Sequence, residues 1–269
     1  MKLLITGASG CVGKALSGAA EEAGHEVHAG CYRGFVAHGM PFRIDITDSH
    51  YTQKIKDLSP DAIIHCAALS DVDLCERDPM RAVKINIIGT YNVSQANIPV
   101  INISTDYVFD GSKGNYKETD MPNPISIYGR TKLFAESVCD TNIRTSCIFG
   151  AKDNWLMTSL KRGESVKLAS DQFTSPTYDL NLSSMVLEVA ERGLNGAYHL
   201  AGTDRMSRYE FALKLASWMD LDKPLIQPVK MADISSWTAK RPADSSLNVS
   251  KAIIDLNKTP LSIDQVLEG

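Results

Sequence analysis

The sequence has 269 residues, room for one large domain or one domain with a smaller appendage. A hydrophobic share of 43% and a charged share of 22% are those of a globular chain, which sets aside disordered and fibrous classes. The net charge of −4, with no block of Lys and Arg, gives nucleic acid no footing as a partner.

The opening apolar run stops at Gly7, too short for a secretory signal, and no stretch approaches the roughly 18 apolar residues of a membrane span. The expectation is a cytoplasmic protein with no membrane partner. "KLLIT" (2–6) reads as a buried strand and leads into a Gly-rich turn. A helical stripe follows over 11–23 (Val12, Leu16, Ala19, Ala20, Ala23), ended by Gly24. "EVHAGC" (26–31) and "PFRID" (41–45) are the second and third strands, and 48–58 is helical. "AIIHCA" (62–67) is the fourth strand, before a long helix over 79–96 opened by Pro79. "PVINIS" (99–104) is the fifth strand, 124–138 a helix, and "IRTSCIF" (143–149) the sixth strand. Continuously apolar strands alternating with helices predict an α/β fold: a Rossmann-type, doubly wound parallel sheet covered on both faces.

Beyond Gly150 the rhythm loosens. Helices are expected over 153–162, 179–192 and 207–219, a strand over "GAYHLAG" (196–202), and prolines punctuate the tail. The reading is a dinucleotide domain over 1–150 and a smaller C-terminal substrate-binding portion over 151–269, interleaved with the first. The six cysteines are scattered without a C-x-x-C pair, as suits reduced thiols. No His spacing fits zinc.

"GASGCVG" carries Gly7, Gly10 and Gly13 between the first strand and first helix. Gly7 permits the tight turn, Gly10 admits the pyrophosphate, and Gly13 allows close helix–strand packing. The helix N-terminus offers free N–H groups to phosphate. This spacing, G-x-x-G-x-x-G, resembles the short-chain dehydrogenase/reductase superfamily in its extended form. The superfamily implies a place beside the adenine for Asp45. Ser9, Cys11 and Val12 in the turn, Ile46 beside Asp45, and Cys66, Ala67 and Ala68 after the fourth strand are assigned to the cofactor as well. The second strand ends in Cys31, Tyr32 and Arg33 with no carboxylate for a ribose 2′-hydroxyl. Arg33 can pair with a 2′-phosphate, or be a solvated loop charge. The cofactor expected is NADPH, with NADH as the alternative.

"STDYVFDG" (104–111) lies where the fifth strand ends, the edge at which open parallel sheets bind ligands. "ISIYGRTKLFAES" (125–137) holds Tyr128 and Lys132 one helical turn apart. A phenol titrates near pH ~10, and a cation on the same face is expected to lower that value. Tyr128 can then protonate a carbonyl oxygen as hydride arrives, with Thr105 on the same oxygen and Lys132 on the nicotinamide ribose.

Together with "HCAALSDVDLCERDP", Asn86, "DQFTSPTY", "GAYHLAG", "YEFA" and "RPADSSLN", these motifs resemble the dTDP-4-dehydrorhamnose reductase family over nearly the whole length. The resemblance implies NAD(P)H-dependent reduction of a dTDP-sugar, with Thr105, Tyr128 and Lys132 as the catalytic triad. It assigns Asp106, Val108, Asp171 and Gln172 to the sugar nucleotide, with Ser175, Pro176 and Thr177 in the same loop. Arg241 can face the diphosphate or sit in a surface ion pair. Asp71 and Asp73 are crevice residues, helix caps or solvated charges. Sugar-nucleotide dehydratases of the superfamily carry Thr-Asp-Glu, but the third position here is Tyr107, which favours plain reduction. A reductase or epimerase of another nucleotide sugar stays open. So does a non-catalytic subunit resembling the methionine adenosyltransferase β subunit. A homodimer, and a divalent ion such as Mg2+, are left open by these residues.

Overall fold

The computed structural model describes residues 1–150, 155–221 and 223–268. Its framework is a seven-stranded parallel sheet. The strands are β1 (Lys2–Thr6), β2 (Glu26–Cys31), β3 (Met40–Arg43), β4 (Ala62–His65), β5 (Val100–Thr105), β6 (Thr141–Thr145) and β11 (Gly196–His199). Short strands β7 (Ile148–Phe149), β8 (Val166–Ala169), β9 (Phe173–Thr174), β10 (Thr177–Tyr178), β12 (Met206–Ser207) and β13 (Ile226–Val229) form three two-stranded ribbons beside it. The sheet order is β11-β6-β5-β4-β1-β2-β3, so the chain reverses direction across the sheet between β1 and β4. That reversal opens a crevice at the carboxyl ends of the strands.

Period-two alternation explains why both faces are covered. Leu3 and Ile5 of β1 point to one side and Leu4 to the other, and all three are wholly buried. Each such side chain contributes about 1.5–3 kcal/mol on burial. On the first face β1 meets α1 (Cys11–Glu22) and α8 (Asp179–Glu191), through Leu16, Leu182, Met185 and Val186. On the second it meets α2 (His50–Leu58) and the helix over 79–94, through Ile55 and Val93. A separate apolar cluster gathers Phe149, Leu156, Leu168, Phe211, Leu215 and Ile226 from later residues.

Three elements differ from expectation. The helix over 79–94 is not uniform: α4 (Pro79–Ala82) and α5 (Thr90–Ser94) flank a π-helical stretch, Val83–Gly89. Gly89 presses against Ile46 so closely that a Cβ there would lie 2.7 Å from the Ile46 Cδ1. The strand expected over 143–149 is two strands, because Cys147 adopts a left-handed φ of 39° and turns the chain out of the main sheet. The strand Gly196–His199 lies within the main sheet, beside β6. The later helices are α7 (Trp155–Lys161) and α9 (Arg208–Trp218); the first residues of the helix expected over 153–162 lie outside the described residues. No helix among the described residues is long and apolar enough to cross a membrane.

Candidate active site

The turn after β1 is shaped by what a side chain would strike. Gly7 has φ +69°, and a Cβ on it would lie 2.7 Å from the Ala67 backbone nitrogen. A Cβ on Gly13 would lie 2.3 Å from the Gly7 carbonyl oxygen, so α1 can approach the turn only with glycine there. Gly10 caps α1 without a side-chain hydrogen bond, which leaves the first turn's N–H groups for an anion.

This turn floors a cleft of about 880 Å³. Gly7, Ser9, Gly10, Cys11, Val12, Gly13, Arg33, Asp45, Ile46, Cys66, Ala67, Ala68, Tyr128 and Lys132 all line it. The Asp45 carboxylate accepts the Thr47 N–H and hydroxyl at 2.9 and 2.8 Å. Arg33 lies 5.0 Å from the Tyr32 ring centroid. The sequence pattern did not single out Tyr32, Ser70, Arg81, Lys84 or Ile85, which also line the cleft. Arg81 and Lys84 come from the helix that turns π-helical at Val83. A run of the "VKINIIG" type carries no sequence signal for that change of pitch. The glycine cradle, the free helix N-terminus and the volume fit a dinucleotide. Among the described residues, no group of three His, Cys, Asp or Glu is placed to hold a metal ion.

Of the proposed reacting groups, Tyr128 and Lys132 line the cleft; Thr105 does not, but lies within reach of the Tyr128 hydroxyl. Thr105 ends β5 and is buried; its hydroxyl donates to the Asp106 carboxylate at 3.2 Å and accepts the Tyr107 N–H at 3.2 Å. Helix α6 (Ile127–Glu136) is capped by Ser126, which accepts the Gly129 N–H at 3.1 Å. Gly129 packs on the Tyr107 carbonyl, where a Cβ would come to 2.1 Å. That contact fixes the Tyr128 ring edge-on to Tyr107, with centroids 5.9 Å apart. Lys132 is 2% exposed, and its Nζ donates to the Asn102 Oδ1 at 3.4 Å. Asn86 sits in the π-helical stretch and donates to Thr131 at 3.0 Å, bracing α6 from the other side.

The electrostatics correct one expectation. Burial pushes the Tyr128 phenol above its ordinary value, against a smaller opposing pull from the Thr105 hydroxyl. The Lys132 ammonium, itself lowered to about 8 by burial, is not among the largest causes acting on Tyr128. The phenol therefore holds its proton firmly in this state, the form a proton donor needs. His65, buried behind them between Thr6 (2.7 Å) and Thr90 (3.0 Å), is lowered to about 3 by burial and stays neutral.

The residues assigned to substrate scatter more. The Asp106 carboxylate is buried and accepts from Ser146 (2.7 Å), Ser245 and Thr105, while burial pushes its carboxyl up. The Val108 side chain is wholly buried with Phe109, Tyr116 and Leu247, so it faces a core and not a crevice. Asp71 caps α3 (Val72–Arg77) by accepting the Leu74 N–H at 2.8 Å. Asp171 accepts the Met231 N–H at 2.9 Å, and Gln172 donates to the Tyr107 hydroxyl at 3.1 Å. Arg241 forks onto Asp73 at 3.1 and 2.7 Å and lies over the Trp237 ring at 4.1 Å. Of the two readings left open for Arg241, the ion pair is the one seen, and it sits half-buried.

A Rossmann sheet with a glycine-turn cleft flanked by Thr, Tyr and Lys defines an NAD(P)-dependent oxidoreductase of the short-chain type. The model of the RmlD substrate binding domain matches residues 1–264, and the chain belongs to that family. Across 93% of its length the chain is 33% identical to a probable low-salt glycan biosynthesis reductase, Agl14, of Haloferax volcanii, covering 90% of that protein. It is also 33% identical to dTDP-4-dehydrorhamnose reductase of Aggregatibacter actinomycetemcomitans, covering 93% of this chain and 91% of the relative. Identity to bovine methionine adenosyltransferase 2 subunit beta is 28%, over 93% and 81% of the two chains. Among solved structures, a hypothetical dTDP-4-dehydrorhamnose reductase from Sulfolobus tokodaii superposes with TM-score 0.88 at 37% identity, covering 99% of each chain. The reductase from Bacillus anthracis in complex with NADP superposes with TM-score 0.87 at 30% identity, over 100% and 98% of the two chains.

Proposed function

We propose that the protein reduces the 4-keto group of dTDP-4-dehydro-L-rhamnose to dTDP-L-rhamnose with NADPH, NADH serving less well. The observation that carries this reading is Tyr128 held beside Thr105 at the edge of the glycine-turn cleft, in a chain of this family. When bound, the dinucleotide would supply a hydride to the carbonyl carbon. Tyr128, protonated and half-buried at the cleft wall, gives its proton to the carbonyl oxygen as charge develops there. Thr105 turns its hydroxyl from Asp106 toward the same oxygen and shares that charge. Lys132, one turn along α6, would hold the nicotinamide ribose. Gln172 and Tyr107 position the sugar.

Purified protein is expected to consume NADPH when given dTDP-4-dehydrorhamnose. Tyr128→Phe should lower kcat by about 10²–10⁴-fold with NADPH affinity unchanged, since one hydroxyl is lost and the ring stays. A second reading, a dinucleotide-binding regulatory subunit, draws on the 28% identity to the methionine adenosyltransferase subunit. Tight NADPH binding with no turnover of any 4-keto nucleotide sugar would select it.

A further inference from the structure

Three arginines among the described residues are withdrawn from full solvent exposure: Arg144, Arg208 and Arg241. Two are matched with carboxylates, Arg144 with Glu136 and Arg241 with Asp73, each at 2.7 Å. Arg208 is different. Among the described residues its guanidinium makes one hydrogen bond, from Nη1 to the Cys147 sulfur at 2.8 Å, and no ion pair. Sulfur is a weak acceptor, and the remaining donors of the fork are left over. Those donors are not among the buried atoms without a partner, so water or an anion can take them. The nearby acid does not take them: the Asp106 carboxylate is occupied by three hydroxyls.

The position of Arg208 is as specific as its lack of a partner. It opens α9 behind the Ser207 cap, and its backbone N–H donates to the Gln172 carbonyl at 3.0 Å. Gln172 reaches the Tyr107 hydroxyl at 3.1 Å, and Tyr107 stands against Tyr128. Arg208 is thus tied through Gln172 to Tyr107, and its charge acts on the Tyr107 phenol. The left-handed turn at Cys147 sets the sulfur against Nη1 and holds the fork in place. Partial exposure of Arg208 leaves it reachable by a ligand.

We propose that Arg208, rather than Arg241, is the cation that holds the diphosphate of the nucleotide sugar. The assignment rests on the nucleotide-sugar reading given above. The Arg241 fork is already filled by Asp73, whereas the Arg208 fork is open, and a planar guanidinium takes phosphate oxygens in pairs.

The test is calorimetric titration of the full chain, loaded with NADPH, with dTDP and separately with thymidine. Arg208→Gln should weaken dTDP binding about 10- to 100-fold, the loss expected of charge-assisted hydrogen bonds. Thymidine and NADPH affinities should be unchanged. Arg208→Lys, which keeps the charge without the fork, should fall between the two. Equal losses for dTDP and thymidine, or a dTDP loss under about threefold, would overturn the assignment while leaving the substrate class intact. Wild-type protein that binds NADPH but not dTDP would overturn the nucleotide-sugar reading and this assignment with it. Should Arg208→Gln fail to bind NADPH, Arg208→Lys decides: dTDP affinity equal to wild type refutes the fork, and a selective loss supports it.

Discussion

Replacing Lys132 by Met should make the protein more stable while removing its activity. Lys132 is 2% exposed, and its nearest polar contact is an amide oxygen at 3.4 Å. Burial lowers its pKa from 10.5 to about 8, a difference of 2.5 units. At about 1.36 kcal/mol per unit, the folded state bears roughly 3 kcal/mol at neutral pH for holding that charge. The methionine fills a similar volume and forfeits only the long contact to Asn102, worth less than about 1 kcal/mol. The net gain is about 2–3 kcal/mol, or a rise in Tm of roughly 5 °C or more. The dependence on pH has a definite sign. At pH 7 folded and unfolded chains both hold the proton, so the cost is full. Between about 8 and 10.5 the unfolded chain binds more protons than the folded one, and wild-type stability from this group rises. The advantage of Lys132→Met is therefore greatest at pH 7 and gone by about pH 10.5. Denaturant melts of both proteins at pH 7 and pH 9.5 measure this, alongside turnover with NADPH. A variant less stable at pH 7, or an advantage that does not shrink with pH, would refute the reasoning.

Gly13→Ala puts a methyl 2.3 Å from the Gly7 carbonyl oxygen; a loss of about 1–3 kcal/mol in melts and at least tenfold weaker NADPH binding are expected. Asp73→Ala strands Arg241 and two backbone N–H groups at Thr238 and Ala239, and should cost about 2–3 kcal/mol. The Arg241 guanidinium holds the Asp73 carboxyl below the usual carboxylate range, so its contribution is present above about pH 4. It fades as pH falls further, and acid melts of the two proteins should converge. Arg33→Ala should lower the preference for NADPH over NADH about tenfold; an unchanged ratio of kcat/KM values would remove Arg33 from cofactor choice.

The sheet was readable because buried parallel strands are apolar without interruption, and "KLLIT", "EVHAGC" and "AIIHCA" mark theirs closely. The glycine turn was readable because only glycine tolerates the contacts at Gly7 and Gly13. What stayed hidden depends on tertiary contact. The turn at Cys147 needs a non-glycine residue to accept a left-handed φ, which no sequence rule announces. The pairing of Asp73 with Arg241 joins residues 168 positions apart, so neither could be told from a ligand contact in sequence. Tyr128 and Lys132 were singled out by spacing, but spacing shows nothing of burial. It is burial that reverses the expected direction of the phenol's shift. Arg208 carries no motif; only the lack of a carboxylate around it singles it out.

Asp106 ties together three stretches of chain that are made at different times: its own loop, Ser146 and Ser245. During synthesis this aspartate leaves the ribosome as an ordinary solvated charge. Only when Ser245 arrives does it gain the last hydroxyl donor that makes its burial tolerable. A chain cut before Ser245 would keep the glycine turn and most of the cleft lining, yet leave the buried Asp106 carboxylate short of one of its three hydroxyl donors. The end of β5 is therefore completed, at Asp106, only by a hydroxyl from the far end of the chain.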